Sequence, residues 1–181
     1  LMLKGYVDAY RVFDDNHLLR IAIKNASFIE NNLIKKDGSL FRSYKNKKST
    51  INAYLEDYAT LIDAYISLYE VSLEEKWLIL CKRLMDYTFE HFYDKNSNMF
   101  FFTSDVDSQL IAKKTELEDN VIPASNSIMA NNLLKLGHLF GDKNYLKISR
   151  QMVHNMVPII ESYPSSYSNW INVYSNLSSS F

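Results

Sequence analysis

The sequence has few of the residues that interrupt or cross-link a chain. Its 181 residues include four glycines, three prolines and one cysteine, Cys81. With so few glycines and prolines there is no linker of the kind that separates domains, which predicts a single domain over residues 1–181. One cysteine cannot form an internal disulfide, and no Cys/His set has zinc spacing. We therefore expect no metal, no bound cofactor and a reducing, cytoplasmic compartment.

Neither sign of charge predominates, and long apolar runs are absent. There are 20 lysines and arginines against 21 acidic residues, for a net charge of -1. Domains that bind nucleic acid or an anionic membrane usually carry a basic excess, so neither partner is expected. No apolar run approaches the roughly 20 residues that cross a bilayer. Hydrophobic residues make up 47% of the chain, which is enough to form a sizeable core.

Apolar residues recur at helical spacing along most of the chain. The pattern predicts six helices and a weaker seventh, over residues 1–13, 17–34, 54–71, 74–92, 124–140, 143–160 and 166–178. Short polar connections join the first six into three hairpins. An acidic residue in each connection, Asp15, Glu74 and Asp142, is expected to cap the helix that follows it.

The predicted hairpins also repeat in sequence. Residues 10–19 align with residues 69–78, and Leu78 aligns with Leu146 of the third hairpin. Within each pair the first helix is expected to be buried on several sides and the second to be amphipathic. A helical hairpin repeating at about 60–70 residues, with an inner and an outer helix, is typical of an α/α solenoid or toroid. The predicted fold class is therefore all-α, with three hairpins forming half of a six-hairpin ring.

The segments that join one hairpin to the next have strand character. Residues 99–103 and 110–114 predict a β-hairpin, and residues 39–44 and 49–51 predict a smaller one. Between the last two lies a lysine run at residues 45–48. We interpret this run as a solvated loop tip, with an anion-binding patch as the alternative.

Three motifs resemble a known family and follow its order. They are Ala53-Tyr-Leu-Glu-Asp-Tyr-Ala59, Phe100-Phe-Phe-Thr-Ser104 and Pro123-Ala-Ser-Asn-Ser127. The chain resembles, up to about Tyr163-Pro164, the thioredoxin-domain-containing family of the bacterial YyaL type, which includes the animal spermatogenesis-associated protein.

The resemblance implies a helical region similar to N-acylglucosamine 2-epimerases and six-hairpin glycosidases. In the family this region follows a thioredoxin-like domain, which implies that the chain is a C-terminal fragment of a larger protein. The thioredoxin-like cysteine motif is not in this sequence, so the resemblance implies no redox chemistry here. The family usually has Pro-Ser-Gly-Asn-Ser where this chain has Ser125 in place of the glycine, which weighs against close backbone approach to a ligand.

The candidate catalytic residues are Glu56, Asp57 and Asp119. In an α/α ring the inner helices run the same way, so their first turns share one rim, where a concave site would form. Glycoside chemistry needs two carboxyl groups facing each other across the sugar. Adjacent Glu56 and Asp57 point about 100° apart on a helix, so one of them needs a partner, and Asp119 is the candidate. A structural role stays open for all three, because acidic residues also stabilise helix N-termini.

Further polar and aromatic residues near this rim are predicted to bind the substrate. They are Asn120, Ser125, Asn126, Ser127, Arg42, Tyr58 and His91. The serines and Asn126 can alternatively cap a helix. His91 is the histidine that reaches the rim, and it is the candidate for the base of an epimerase. We expect Glu56, Asp57, Asp119 and Asn126 to meet in one basin.

These patterns favour a carbohydrate-processing or carbohydrate-binding domain with a sugar as its ligand. The choice between a hydrolase and an epimerase stays open. The alternative from another class is a non-catalytic helical scaffold that positions the thioredoxin-like domain or a protein partner. Half of a ring would expose its inner helices along two edges, so self-association through those edges is also expected.

Overall fold

Helices dominate the computed structural model, which describes residues 1–107 and 113–178. The helices within that part are α1 (Met2–Phe13), α2 (Asn16–Leu33), α3 (Leu55–Ser72), α4 (Lys76–His91), α5 (Ser125–Phe140), α6 (Lys143–Ser162) and α7 (Ser168–Ser178). Two strand pairs accompany them, β1 (Phe41–Lys45) with β2 (Lys48–Asn52) and β3 (Tyr93–Asp94) with β4 (Met99–Phe100). A short 3-10 helix, Pro164–Tyr167, precedes α7. All seven predicted helices are present, and the all-α class is confirmed.

Asp15 and Asp142 cap helices as predicted. The Asp15 carboxylate accepts the backbone N–H of His17 at 2.8 Å, at the start of α2. The Asp142 carboxylate accepts two backbone N–H groups in the first turn of α6, at 2.8 and 3.2 Å. These bonds satisfy donors that a helix leaves unpaired at its N-terminus.

Glu74 acts differently from these two aspartates. Its carboxylate lies 2.8 Å from Lys76 Nζ, and its backbone carbonyl accepts the N–H of Trp77. The preceding residue, Leu73, adopts a left-handed conformation with φ of 55° and ends α3. The turn between α3 and α4 is therefore formed by backbone hydrogen bonds, with an exposed ion pair beside it.

The chain divides into two compact units, Leu1–His91 and Phe92–Phe181. In the first unit α1 packs against α2 and α3, and α3 packs against α4. In the second unit α5 packs against α6 and α7. The first unit therefore contains the hairpins α1–α2 and α3–α4, and the second contains the hairpin α5–α6.

The inner helices α3 and α5 are buried on several sides, as predicted. In α3 the buried side chains include Tyr58, Ile62 and Tyr65, and in α5 they include Met129 and Leu133. Helix α1 differs from both, because only Leu3 and Val7 are buried in it. Val12 and Phe13, at its C-terminal end, are 75% and 72% exposed. The prediction of a buried first helix is thus correct for two hairpins and wrong for the first.

The smaller predicted β-hairpin is present as β1 and β2. Phe41 lies opposite Asn52 and Lys45 opposite Lys48, so the lysine run forms the turn. This hairpin leads directly into α3. It therefore places residues of β1 beside the first turn of an inner helix.

The first strand of the larger predicted β-hairpin has a partner that was not predicted. Strand β4 pairs antiparallel with β3, with Tyr93 opposite Phe100. Of the predicted partner strand 110–114, residues 110–112 lie outside the described residues. The N–H of Phe102 donates to the carbonyl of Lys114 at 2.8 Å. The prediction missed β3, which is adjacent in sequence and joined to β4 by a short turn.

Within residues 1–107 and 113–178, none of the helices combines the length and apolar character needed to cross a membrane.

Candidate functional site

Arg42 of β1 contacts both acidic residues in the first turn of α3. Its Nη1 lies 2.8 Å from Glu56 Oε1 and 3.3 Å from Asp57 Oδ2. The guanidinium also lies over the ring of Tyr54, with its carbon 4.9 Å from the ring centroid. The Arg42 side chain is 39% exposed, so each ion pair alone contributes little to stability. Together the three contacts fix the orientation of the guanidinium.

Asp57 is the most constrained of these charged groups. The backbone N–H of Tyr54 donates to its Oδ2 at 2.9 Å, which caps the start of α3. Burial raises the pKa of Asp57 above its ordinary value, and the Tyr54 bond and the Arg42 charge oppose this only in part. Asp57 therefore keeps a proton to higher pH than an exposed aspartate. This is the direction that a general acid requires.

A cavity of about 230 Å³ lies beside Arg42 and Asp57. Its polar lining is completed by Thr60 of α3 and Asn25 of α2. The remaining side chains of the lining are apolar and come from Leu1, α1, α2, α3 and residues 40–41. The cavity thus combines an apolar wall with the Arg42 guanidinium, the Asp57 carboxylate, a hydroxyl and an amide.

Tyr58 belongs to the core of the first unit. It is 1% exposed, and its hydroxyl accepts the backbone N–H of Leu40 at 2.8 Å. Its ring stacks on Tyr87 with centroids 5.6 Å apart. A buried phenol whose oxygen already holds a backbone N–H has a structural role. We leave Tyr58 out of the proposed sugar contacts.

His91 is the last residue of α4, and its ring packs against Tyr87, the residue on which Tyr58 stacks. Its ring centroid lies 4.3 Å from that of Tyr87, and its Nε2 lies 3.9 Å from a Glu90 carboxylate oxygen. The His91 side chain is 20% exposed. Its assignment as the base of an epimerase stays a prediction.

Asp119, in the second unit, joins the starts of two helices. Its Oδ1 accepts the N–H of Ala124 at 2.8 Å and the hydroxyl of Ser127 at 3.2 Å, at the start of α5. Its Oδ2 accepts the N–H of Asn169 at 2.8 Å, at the start of α7. Both carboxylate oxygens therefore have protein partners. This geometry favours the structural role that the sequence left open.

Asn126 is fully buried, and its amide is occupied. Its Oδ1 accepts the N–H of Phe100 and its Nδ2 donates to the Phe100 carbonyl, each at 2.9 Å. The same Nδ2 donates to the Glu116 carbonyl at 2.9 Å. Asn126 thus ties strand β4 and the loop before α5 to the first turn of α5.

Ser125 and Ser127 are also fully buried in this turn. The N–H of Ser125 donates to a carboxylate oxygen of Glu116 at 3.0 Å. The single hydroxyl proton of Ser127 is shared between the Ala124 carbonyl at 2.9 Å and Asp119 Oδ1 at 3.2 Å, and the hydroxyl oxygen accepts from the Asn169 amide at 2.8 Å. We leave both serines, together with Asn126, out of the proposed sugar contacts.

Asn120 has a more accessible position than its neighbour Asp119. It is exposed and lines a polar cavity of about 440 Å³ with Glu118 and Tyr167. Lys114, Thr115, Glu116, Leu117 and Asp119 complete that lining. Asn120 therefore stays a candidate contact. The meeting of Asp119 and Asn126 with Glu56 and Asp57 in one basin stays a prediction.

Several residues of these sites were missed by the sequence analysis. Thr60 lies one helical turn after Glu56 and Asp57, and this spacing was a signal that it shares their face of α3. Asn25 reaches the same cavity from α2, and nothing in its local sequence indicates that. Glu116 joins the network around α5 from the preceding loop, and Asn169 joins it from 50 residues away in sequence.

The solved structures that resemble this chain are α/α toroids. An alpha-mannanase of the GH76 class from Bacteroides thetaiotaomicron is 17% identical, with a TM-score of 0.67 over 85% of this chain and 41% of that chain. A cellobiose 2-epimerase from Bacillus thermoamylovorans is 16% identical, with a TM-score of 0.66 over 85% of this chain and 42% of that chain. The fold is therefore that of the α/α toroids, a class in which these neighbours process carbohydrates.

Among curated proteins the chain is similar to spermatogenesis-associated protein 20. The human protein is 28% identical over 156 residues, which cover 81% of this chain and 20% of the relative. The chain thus spans about a fifth of the length of the curated relatives it matches. No protein-family model matches the chain. The resemblance found in the sequence is confirmed.

Proposed function

We propose that this chain is a carbohydrate-binding or carbohydrate-processing α/α-toroid domain that holds a sugar in the cavity beside Arg42 and Asp57. The observation that carries the proposal is the mixed lining of this cavity, which places donors and acceptors at the start of an inner helix. The non-catalytic scaffold predicts a filled rim or a flat apolar patch at this place. A cavity with a mixed lining supports sugar binding over the scaffold.

Asp57 is the residue to which we assign proton transfer, if the domain is catalytic. Its pKa is raised by burial, and it lines the cavity. Glu56 is not a facing partner for it, because both carboxylates approach the same nitrogen of Arg42. A cation therefore lies where glycoside hydrolysis would need a glycosidic bond between two carboxyl groups. A second catalytic group has to come from elsewhere, and Asp119 and His91 stay the candidates.

The chain is further proposed to form part of a larger toroid. It covers 41% and 42% of the two toroid chains described above and 20% of its human relative. In such a protein the thioredoxin-like domain of the resembled family would lie in another part of the chain. The second polar cavity, with Asn120 and Glu118 at its surface, would then be a separate candidate sugar contact.

A binding experiment tests the proposal directly. Calorimetric titration of the full chain with D-glucose, D-mannose, D-galactose and cellobiose should detect saturable binding of at least one of them. Asp57→Asn and Arg42→Gln should each weaken that binding, whereas Glu75→Gln, an exposed residue next to the start of α4, should not change it. Absence of binding at millimolar sugar, or equal binding by all variants, would contradict the proposal.

Self-association is proposed on the basis of the exposed apolar end of α1. Val12 and Phe13 are both more than two-thirds exposed. Large exposed apolar side chains that lie next to each other favour association. Light scattering should show a concentration-dependent increase in mass that the double substitution Val12→Ser, Phe13→Ser reduces. A monodisperse monomer at high concentration would contradict it.

A further inference from the structure

Arg42 is fixed in place and still has donors to offer. Its Nη1 is held by Glu56 and Asp57, and its plane lies over Tyr54. A guanidinium has five N–H donors. Its Nε and Nη2 have no hydrogen-bond partner among residues 1–107 and 113–178. Because Arg42 lines the cavity, these donors are available to a ligand that binds there.

Acceptors lie next to these donors. Asp57 Oδ2 takes the Tyr54 N–H and the Arg42 Nη1, whereas Oδ1 has no partner within the part of the chain that the structure describes. The hydroxyl of Thr60 donates to the Glu56 carbonyl at 2.7 Å, which leaves its oxygen able to accept. The cavity thus has fixed donors and fixed acceptors side by side.

This arrangement matches a pair of hydroxyl groups. Each hydroxyl both donates and accepts, so one of two adjacent hydroxyls can accept from Arg42 while the other donates to Asp57. A carboxylate or phosphate has no proton to donate, and it would meet the negative charges of Glu56 and Asp57 at short range. The volume of about 230 Å³ corresponds to the space of about seven or eight water molecules, which is room for one sugar ring.

We infer that the cavity recognises two adjacent hydroxyl groups of a single uncharged sugar ring, with Arg42 as the donor and Asp57 as the acceptor. The inference rests on the proposed function and adds which part of the sugar the cavity recognises, a pair of adjacent hydroxyl groups. It makes Arg42 a specificity-determining residue. The three contacts of Arg42 with Glu56, Asp57 and Tyr54 restrict the orientation of its guanidinium.

Monodeoxy sugars test this on the unchanged protein. The sugar that binds best to the full chain is titrated beside each of its monodeoxy derivatives and beside the corresponding uronic acid. Loss of either of two neighbouring hydroxyls should weaken binding about tenfold or more, because each leaves a charged partner unpaired. Loss of other hydroxyls should change it little, and the uronic acid should bind no better than the parent. Equal binding of all monodeoxy derivatives would overturn the inference and leave the proposed function standing. If no sugar binds, both are overturned.

Arg42→Lys tests the role of the guanidinium. Lysine keeps the charge but has no fork of N–H donors, so binding should weaken about tenfold and the discrimination between monodeoxy derivatives should fall. Arg20→Lys, on the exposed face of α2, is the matched control and should leave both unchanged. Unaltered affinity and discrimination in a folded Arg42→Lys variant would overturn the inference. If that variant does not fold, the monodeoxy series still decides.

Discussion

Removing the Asp119 carboxylate should destabilise the second unit considerably. Its two oxygens accept backbone N–H groups of Ala124 and Asn169, each at 2.8 Å, and a hydroxyl of Ser127 at 3.2 Å. Loss of a side-chain helix cap costs about 0.5–2 kcal/mol. Asp119→Ala removes such a bond from the starts of both α5 and α7, so we expect a loss of about 1–4 kcal/mol in the free energy of unfolding.

Thermal and urea unfolding measure this loss. In a chain of this size 1 kcal/mol corresponds to about 2–4 °C, so the melting temperature should fall by about 2–16 °C. Asp119→Asn keeps one acceptor oxygen, so its melting temperature should fall by about half as much. Glu118→Gln is the matched control, because Glu118 is an exposed neighbour without a hydrogen bond among the described residues. The free energy of unfolding of this variant should stay within about 0.5 kcal/mol of that of the parent.

The opposite outcome has a clear meaning. If Asp119→Ala has the same melting temperature as the parent and as Glu118→Gln, the carboxylate does not stabilise the starts of α5 and α7. If such a stable variant also loses sugar turnover, Asp119 is a catalytic residue, as the sequence alone suggested.

Three further predictions concern other parts of the chain. Gly38→Ala should lower the free energy of unfolding in urea by more than about 1 kcal/mol, because Gly38 has φ of +91° and an added Cβ would lie 2.7 Å from the Arg83 carbonyl oxygen. Gly5→Ala is the control: nothing lies within 4 Å of its added Cβ, so it should be neutral or stabilising. An equal loss of stability in both variants would refute this. The raised pKa of Asp57 means that the native state holds the Asp57 proton more tightly than the unfolded state does, so the stability that this proton contributes is lost as the pH rises above 3.8. Asp57→Asn should therefore gain stability relative to the parent as the pH rises from about 4 to about 7. A difference in stability that does not change with pH would contradict this. Cys81 is fully buried and burial raises the pKa of its thiol, so a thiol reagent should label it only after denaturation, and rapid labelling of the native chain would be inconsistent with the structure.

The helices could be predicted from the sequence because their signals are local. Apolar periodicity and the capping aspartates, Asp15 and Asp142, lie within the elements they define. The pairing of β4 was missed because it depends on a short turn. Asp94 and Asn98 bound that turn, with Asp94 accepting the N–H of Asn96 and Asn98 at φ of 55°. This Asx-type turn was present in the sequence and could have indicated β3.

The candidate site could be predicted only in part. Glu56 and Asp57 were found because they begin an inner helix, and Arg42 because it lies in the preceding linker. Their pairing could not be predicted, since it depends on the register of the β-hairpin. The partners of Asp119 include Asn169, which is 50 residues away in sequence, and that contact depends on the packing of α7 against α5.

A crystal structure of the full chain with a bound monosaccharide tests the proposed site most directly. The sugar ring should occupy the cavity beside Arg42, with one hydroxyl accepting from the guanidinium and its neighbour donating to Asp57. A sugar bound at saturating concentration in any other place, with this cavity left to water, would contradict the assignment.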